Sequence, residues 1–231
     1  MARKLIDEGA IGTPIAATVF MGTSGPERWH PSVDFYYQPG GGPLLDIGPY
    51  FIGSLILFFG SVSRVTAITR DTSHQRTALD GHQINIQVKT HISGTLEFES
   101  GVVATLITSF EMPAHHMPWT ELHGTGGSLL FPSPPWGDDL TVQVYEPEQR
   151  QWIPKPSVFR LDWRRGIGVA DMVHALRSGR PHRTSFEVAY HSLEVMNGIL
   201  KAGETHQHVA IISRCERPAP LPVGLTGRAL D

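Results

Sequence analysis

The sequence contains little cysteine and no excess of charge. Cys215 is the only cysteine in 231 residues, which excludes an intrachain disulfide and is typical of a reducing compartment. The 19 basic and 22 acidic residues give a net charge of -3, so the composition does not predict a binding surface for nucleic acid. We therefore predict a cytoplasmic protein that does not bind nucleic acid.

Long hydrophobic runs are also absent. The most apolar run, from Tyr50 to Phe59, is interrupted by Gly53 and Ser54 and is shorter than the roughly 20 residues that a membrane helix needs. The amino terminus does not show the pattern of a signal peptide. These features predict a globular protein without a membrane partner.

Most of the short motifs that mark catalytic centres are missing. There is no HExxH, CxxC, GxSxG or Walker motif, and the twelve histidines do not show metal-ligand spacing, so no metal site is predicted. The run Gly124 to Gly127 is glycine-rich, but a strand pattern follows it, which indicates a hairpin turn. No part of the chain shows the strand, glycine loop and helix of a Rossmann domain.

Short strands and turns dominate the chain. Apolar residues alternate with polar ones from Ile84 to Ile92 and on through Phe98, which predicts one half-buried strand that ends at the turn Ser100-Gly101. Further predicted strands are 15–21, 62–69, 102–110, 120–123, 128–131, 140–145 and the residues around Trp152. Successive strands with short turns predict a large, mostly antiparallel or mixed sheet.

Few helices are available to cover this sheet. We predict helices at 2–8, 43–59, 169–178 and 186–202, with Ser185 as the cap of the last. The expected fold class is therefore α+β, with the helices on one face of the sheet. Because the other face would stay uncovered, we expect a homo-oligomer through it. Residues 1–222 are expected to form one domain, and 223–231 a Pro/Gly-rich tail.

One stretch, Gly40 to Tyr50, combines a bare backbone with polar side chains. Three glycines precede Pro43, whose fixed φ suits the first turn of a helix. On that helix Asp46 and Tyr50 are four residues apart and share a face. The stretch fits either a plain junction between a loop and a core helix, or a ligand site with a carboxylate beside a phenol.

The loop before this stretch is unusually aromatic. Residues 22–40 contain Trp29, His30, Phe35, Tyr36 and Tyr37. Such rings either cover the core or line a ligand pocket, and the sequence leaves both interpretations open.

These two stretches carry a family resemblance. Gly40 to Tyr50, together with Trp29-His30-Pro31 and Phe35-Tyr36-Tyr37, resembles the carboxy-terminal domain of the glucose-fructose oxidoreductase / inositol dehydrogenase / rhizopine catabolism (Gfo/Idh/MocA) family of NAD(P)-dependent oxidoreductases. The resemblance extends from Ala2 to about Pro222. It implies a dihydrodipicolinate-reductase-like α+β domain that mediates oligomers, while the family's amino-terminal Rossmann domain has no counterpart in the sequence.

The resemblance also implies roles for individual residues. Asp46 matches an acidic residue beside the catalytic centre, and Tyr50 matches a position that is histidine in many members and tyrosine in some. The substrate wall that the family implies consists of Trp29, His30, Tyr36 and Gly42. The catalytic lysine of the family lies in the nucleotide-binding domain, and no lysine here matches it. The cofactor-binding residues are therefore unknown.

The implied activity is hydride transfer between a sugar, polyol or related alcohol or carbonyl and the nicotinamide of NAD or NADP. For this chain alone we expect no cofactor and no such activity. Two hypotheses follow from the sequence. Either the chain is the substrate and oligomerisation half of an oxidoreductase, truncated of its nucleotide-binding domain, or it is a stand-alone, non-catalytic binding or interaction module that retains the fold.

Overall fold

The computed structural model describes residues 1–71, 75–131, 141–158, 160–161, 166–227 and 230. The helices in these residues are α1 (Ala2–Asp7), α2 (Pro43–Phe59), α3 (Ile167–Ser178) and α4 (Phe186–Thr205). The strands are β1 (Pro14–Gly22), β2 (Val62–Arg70), β3 (Gln75–Thr77), β4 (Gln83–Asn85), β5 (His91–Phe98), β6 (Val103–Ser109), β7 (Thr120–Gly124), β8 (Gly127–Phe131), β9 (Val142–Glu146), β10 (Gln151–Lys155), β11 (Arg160–Leu161), β12 (Val209–Ala210) and β13 (Thr226–Gly227).

Nine of these strands form one sheet in the order β10-β9-β8-β7-β1-β6-β5-β2-β12. The pair β1 and β6 is parallel, and the other neighbours in this sheet are antiparallel. Two small sheets, β3-β4 and β11-β13, lie outside it. This arrangement confirms the predicted α+β class with a large mixed sheet.

One face of the large sheet carries the hydrophobic core, and we call it the covered face. Along β5 the residues Ile92, Gly94, Leu96 and Phe98 are buried, and helices α2 and α4 pack against this face and against each other. The strand period of two places the buried residues on one side, where the helices exclude water. The predicted placement of the helices on one face is confirmed.

The opposite face is the open face of the sheet. It includes Thr18, Thr105, Thr95 and Thr66, which are register partners along four neighbouring strands. Ile68, with 73% of its surface exposed, also lies on a strand of this face. The open face is therefore polar at its centre and keeps some exposed apolar area.

Helix α2 has the predicted bounds. Gly42 precedes it with a φ of 90°, Pro43 occupies its first position, and Pro49 lies inside it. At α4 the Ser185 Oγ accepts a hydrogen bond from the Val188 amide at 3.3 Å, which confirms the predicted cap. No helix in the described part of the chain is long and apolar enough to cross a membrane.

The prediction of a single strand from Ile84 to Phe98 is wrong. Strand β4 ends at Asn85 and pairs with β3, whereas β5 begins only at His91 in the large sheet. Between them the Gln87 amide donates to the Tyr37 carbonyl at 2.8 Å, so this segment contacts the aromatic loop instead of a strand. Alternation of apolar residues does not detect such a change of partner. The predicted strand start at Leu140 lies outside the described residues.

Candidate functional site

The site begins at the loop that leads into α2. The buried Gly42 amide donates to the Tyr36 carbonyl at 2.6 Å, and the Gly42 carbonyl accepts from the Asp46 amide at 3.1 Å. A Cβ added at Gly42 would lie 3.2 Å from the Lys89 carbonyl oxygen, in addition to the positive φ. Gly42 thus joins the aromatic loop to the helix, and its own amide is engaged within the protein.

Asp46 and Tyr50 project from successive turns of α2. Burial raises the pKa of the half-buried Asp46 carboxyl. The pKa of Tyr36 is also raised, first by burial and then by electrostatic interaction with Asp46 and Tyr50. The structure therefore brings together three residues that the sequence analysis named, from the aromatic loop and the helix.

An aromatic wall extends from Tyr36, and we define it as Trp29, His30, Phe35 and Tyr36. The Phe35 and Tyr36 rings stack with centroids 4.3 Å apart, and His30 meets both edge-on at 5.3 Å. Trp29 is 64% exposed, and its ring centroid lies 6.3 Å from that of Tyr36. Exposed rings in a fixed array can stack against a flat ligand surface, while the neighbouring polar groups orient it.

Tyr50 lies on the rim of a separate large cavity. The cavity has a volume of about 1010 Å³ and lies beside α1, α2 and the start of α3, with Leu57 and Val188 among its apolar lining. Tyr50 lines this cavity and is 46% exposed. Tyr50 is thus accessible from this largely apolar cavity.

The described residues show neither a metal cluster nor a dinucleotide cradle. No group of three or more His, Cys, Asp or Glu in the described ranges is placed to hold a metal ion. The parallel strands β1 and β6 are not linked by the glycine loop and helix that bind a pyrophosphate, because β1 runs directly into the aromatic loop. The site in these residues therefore offers organic acid–base groups and rings.

Sequence reasoning missed the support beneath the wall. Arg76 on β3 forms ion pairs with Glu27 at 2.5 Å and Glu111 at 2.6 Å, although all three residues are far apart in the sequence. Single charged residues in loop-like segments normally predict solvated positions. The sequence contains no signal that would have indicated this cluster.

Comparisons with known proteins agree with this architecture. The family model for the GFO/IDH/MocA C-terminal domain matches residues 1–130. A curated relative, D-xylose 1-dehydrogenase (NADP(+)) 2 from Haloferax volcanii, is 36% identical over 73 residues, which are 32% of this chain and 19% of that protein. This chain thus matches a small part of that relative.

Solved structures share the fold over most of the chain. Levoglucosan dehydrogenase in complex with NADH and L-sorbose has a TM-score of 0.75 at 20% identity, covering 92% of this chain and 62% of that one. The aldose-aldose oxidoreductase from Caulobacter crescentus complexed with glycerol has a TM-score of 0.71 at 18% identity, covering 90% and 59%. This chain spans less than two thirds of either structure.

The family match and the fold agree with each other and with the resemblance of the stretch Gly40 to Tyr50. The matched residues, 1–130, include α1, the aromatic loop, the whole of α2 and strands β1 to β7. The fold that contains the nine-stranded mixed sheet is shared with the levoglucosan dehydrogenase structure. This chain belongs to the GFO/IDH/MocA C-terminal domain family.

Proposed function

We propose that this chain is the substrate-binding and oligomer-forming half of a cytoplasmic NAD(P)-dependent oxidoreductase that acts on a sugar, polyol or related alcohol or carbonyl. The observation that carries the proposal is that Gly42 joins the exposed aromatic wall, through the Tyr36 carbonyl, to the helix turns that carry Asp46 and Tyr50. Relatives of the same fold are named for sugars, which supports this substrate class.

In this proposal the aromatic wall binds the apolar face of the substrate. The CH groups of a sugar ring stack on Trp29 and Phe35, and the hydroxyls face the polar groups of His30 and Tyr36. The Ser32 amide donates to His30 Nδ1 at 3.1 Å, so a neutral His30 carries its proton on Nε2 and can donate from there. The Asp46 carboxylate accepts a hydrogen bond from a substrate hydroxyl.

Tyr50 is proposed to exchange the proton of the reacting oxygen. Free tyrosine has a pKa of about 10, so its phenolate needs a nearby cation at neutral pH. Among the described residues the basic side chains that line the cavity already pair with carboxylates: Arg3 with Asp7, Lys4 with Glu8, and Arg183 with Asp171. We therefore place the activating cation on a part of the enzyme that faces this cavity from outside the described residues.

The nicotinamide cofactor is assigned to the complete enzyme. The described residues do not fit a dinucleotide, so we derive no step through it from this chain. The relatives are named for NADP(+) or crystallised with NADH. The chain's own contribution is to bind the substrate, orient it and hold or move a proton at Tyr50.

We assign oligomer formation to the open face of the sheet. The threonine row is flanked by Ile68 and Val103, which are 73% and 44% exposed, and an isologous contact would bury both. Light scattering at several protein concentrations tests this assignment, and a monomer at all of them would contradict it.

Calorimetric titration of D-xylose and L-sorbose into the purified chain tests the binding role. We expect saturable binding that is weakened in Asp46→Asn and Tyr50→Phe. Thr205→Ala is the control, because the Thr205 hydroxyl donates to the Lys201 carbonyl at 2.9 Å, at the exposed end of α4 and outside the cavity lining. Equal titrations of the parent and all three variants would contradict the proposed site.

The reading frame upstream of Met1 tests whether the chain is half of an enzyme. An in-frame coding region for a glycine-rich βαβ unit supports the oxidoreductase. A stop codon and promoter directly before Met1 would instead support the binding module.

A further inference from the structure

Arg76 is a buried cation that contacts residues on both sides of the aromatic wall in the sequence. Its side chain is 10% exposed and forms ion pairs with Glu27 and Glu111, which are 11% and 19% exposed. Buried charges are retained in proteins when they are paired and hydrogen-bonded. The three residues come from β3, from the loop after β1 and from the loop after β6.

The guanidinium of Arg76 also binds two backbone carbonyls. Nη1 donates to the Ser24 carbonyl and Nη2 to the Phe110 carbonyl, both at 2.8 Å. The carbon at the centre of the guanidinium lies 5.5 Å from the centroid of the Tyr37 ring. A planar fork of donors can satisfy several acceptors at fixed angles, which an ammonium group cannot do.

The partners of Arg76 flank the wall on both sides in the sequence. Glu27 lies in the 3₁₀ turn Pro26–Arg28, two residues before Trp29, and Tyr37 directly follows Tyr36. The Tyr37 hydroxyl donates to the Glu27 carboxylate. The two ends of the wall are therefore tied together at one guanidinium.

The hairpin β3-β4 and the residues directly after it contact the far end of the wall. The Gln38 side chain donates to the Asn85 carbonyl at 3.2 Å, and the Gln87 amide donates to the Tyr37 carbonyl at 2.8 Å. His82 Nε2 lies 3.1 Å from the carboxylate of Asp34, which begins the 3₁₀ turn Asp34–Tyr37. The hairpin β3-β4 and the residues directly after it thus contact the aromatic loop at several points.

Glycine at position 25 leaves the space that this cluster needs. A Cβ there would lie 2.5 Å from Arg76 Nη1 and 2.7 Å from the Tyr37 hydroxyl, and the φ of 102° is itself disfavoured for other residues. The chain is therefore shaped around the guanidinium. Burial alone lowers the pKa of Arg76, but hydrogen bonds to Glu111 and Glu27 outweigh it and raise the pKa, so the cation persists at neutral pH.

We propose that Arg76 is a positioning residue that fixes the aromatic wall against Asp46 and Tyr50 and thereby sets the affinity for the substrate. The part of the proposal that concerns substrate rests on the proposed function. The part that concerns the wall stands on the contacts alone. Lysine at this position keeps the charge but loses the fork, so it does not restore the position of the wall.

Hydrogen exchange followed by mass spectrometry tests the positioning role in the full chain. In Arg76→Lys we expect exchange in residues 26–42 to rise about tenfold or more, with β5 unchanged as an internal reference. Glu111→Gln removes one charged partner and leaves three acceptors, so a smaller rise confined to 26–42 is expected. Arg214→Lys is the control, because Arg214 forms an exposed ion pair with Glu99 outside the aromatic wall.

Titration of D-xylose and L-sorbose into the same variants gives the second readout. We expect a dissociation constant raised about fivefold or more in Arg76→Lys and unchanged in Arg214→Lys. Exchange in 26–42 equal to the parent would overturn the proposal. So would a rise shared equally by β5 in both Arg76→Lys and Glu111→Gln. If the parent binds neither sugar, the proposed function fails, whereas the exchange data still decide the role of Arg76.

Discussion

The two faces of the nine-stranded sheet show how differently neighbouring residues of one strand are used. On β5, Leu96 is fully buried beneath the helices, while Thr95 points to the open face and is half-buried. The covered face is apolar because the burial of its side chains stabilises the fold. The open face carries a threonine row and a few exposed apolar residues, and we propose that a second copy of the chain covers it.

The largest contrast is expected from truncation on the two faces. Leu96→Ala should lower the free energy of unfolding by about 2–5 kcal/mol, since it leaves a cavity in the core. Thr95→Ala, on the neighbouring residue, should change it by no more than about 0.5 kcal/mol in the monomer. Urea denaturation monitored by circular dichroism measures both, and equal losses would remove the distinction between the faces.

A buried histidine makes the covered side sensitive to acid. His191 Nε2 accepts from the Val62 amide at 2.9 Å and its Nδ1 lies 2.8 Å from the Ser213 hydroxyl, so the ring is neutral. The pKa of His191 is lowered, chiefly by burial.

The sign of the pH effect follows from linkage. Because the folded pKa lies below the unfolded value of about 6.5, the stabilisation is present above pH 6.5 and is lost as the pH falls below it. We expect a lower melting temperature at pH 5.5 than at pH 7.5, with a smaller difference in His191→Gln. The same pH dependence in both proteins would contradict this assignment.

A substitution on the open face should change self-association rather than the stability of the monomer. Thr105→Lys places a charge at the centre of the proposed interface and should weaken self-association about tenfold or more. The unfolding free energy of the monomer should change by no more than about 0.5 kcal/mol. Gln207→Lys adds the same charge at an exposed residue after α4 and serves as the control. Sedimentation velocity measures the self-association of both variants, and an unchanged profile for Thr105→Lys would argue against this interface.

The smallest effect is expected at Asp46. Burial raises the pKa of this carboxyl, so stability falls as the pH rises from the unfolded pKa to the folded pKa, and the loss is complete above the folded pKa. Asp46→Asn should therefore be slightly more stable than the parent at pH 7.5, and this gain should vanish in acid below the unfolded pKa of about 3.9. Thermal melts at several pH values measure the gain, and a loss of stability at pH 7.5 would contradict it.

Local patterns predicted those parts of the fold that depend on neighbours in the sequence. Helix α2 was predicted with its observed bounds, because Pro43 and the apolar run mark it locally. The strand pattern from Ile84 to Phe98 misled, since β4 pairs with β3 and β5 with the large sheet, and alternation does not identify a partner. The stretch from Gly40 to Tyr50 was identified from the sequence, but its contact with Tyr36, through the Gly42 amide, became visible only in the structure.

The support for the aromatic wall was out of reach for the same physical reason. Arg76 and Glu27 are 49 residues apart, and the energy of a buried ion pair depends on burial that neither local sequence shows. The covered face was predictable because its apolar period repeats. The cluster beneath the wall occurs once and has no period.

The most direct test of the central claim is a titration of ¹⁵N-labelled protein with D-xylose, followed by NMR. We predict that the Trp29 indole signal, assigned by its loss in Trp29→Phe, and the Tyr50 amide shift with one shared saturation curve. The indole signals of Trp119 and Trp152, which lie outside the wall, should remain in place. Saturable shifts at those two tryptophans alone, or no saturable shift at Trp29 and Tyr50, would contradict the account.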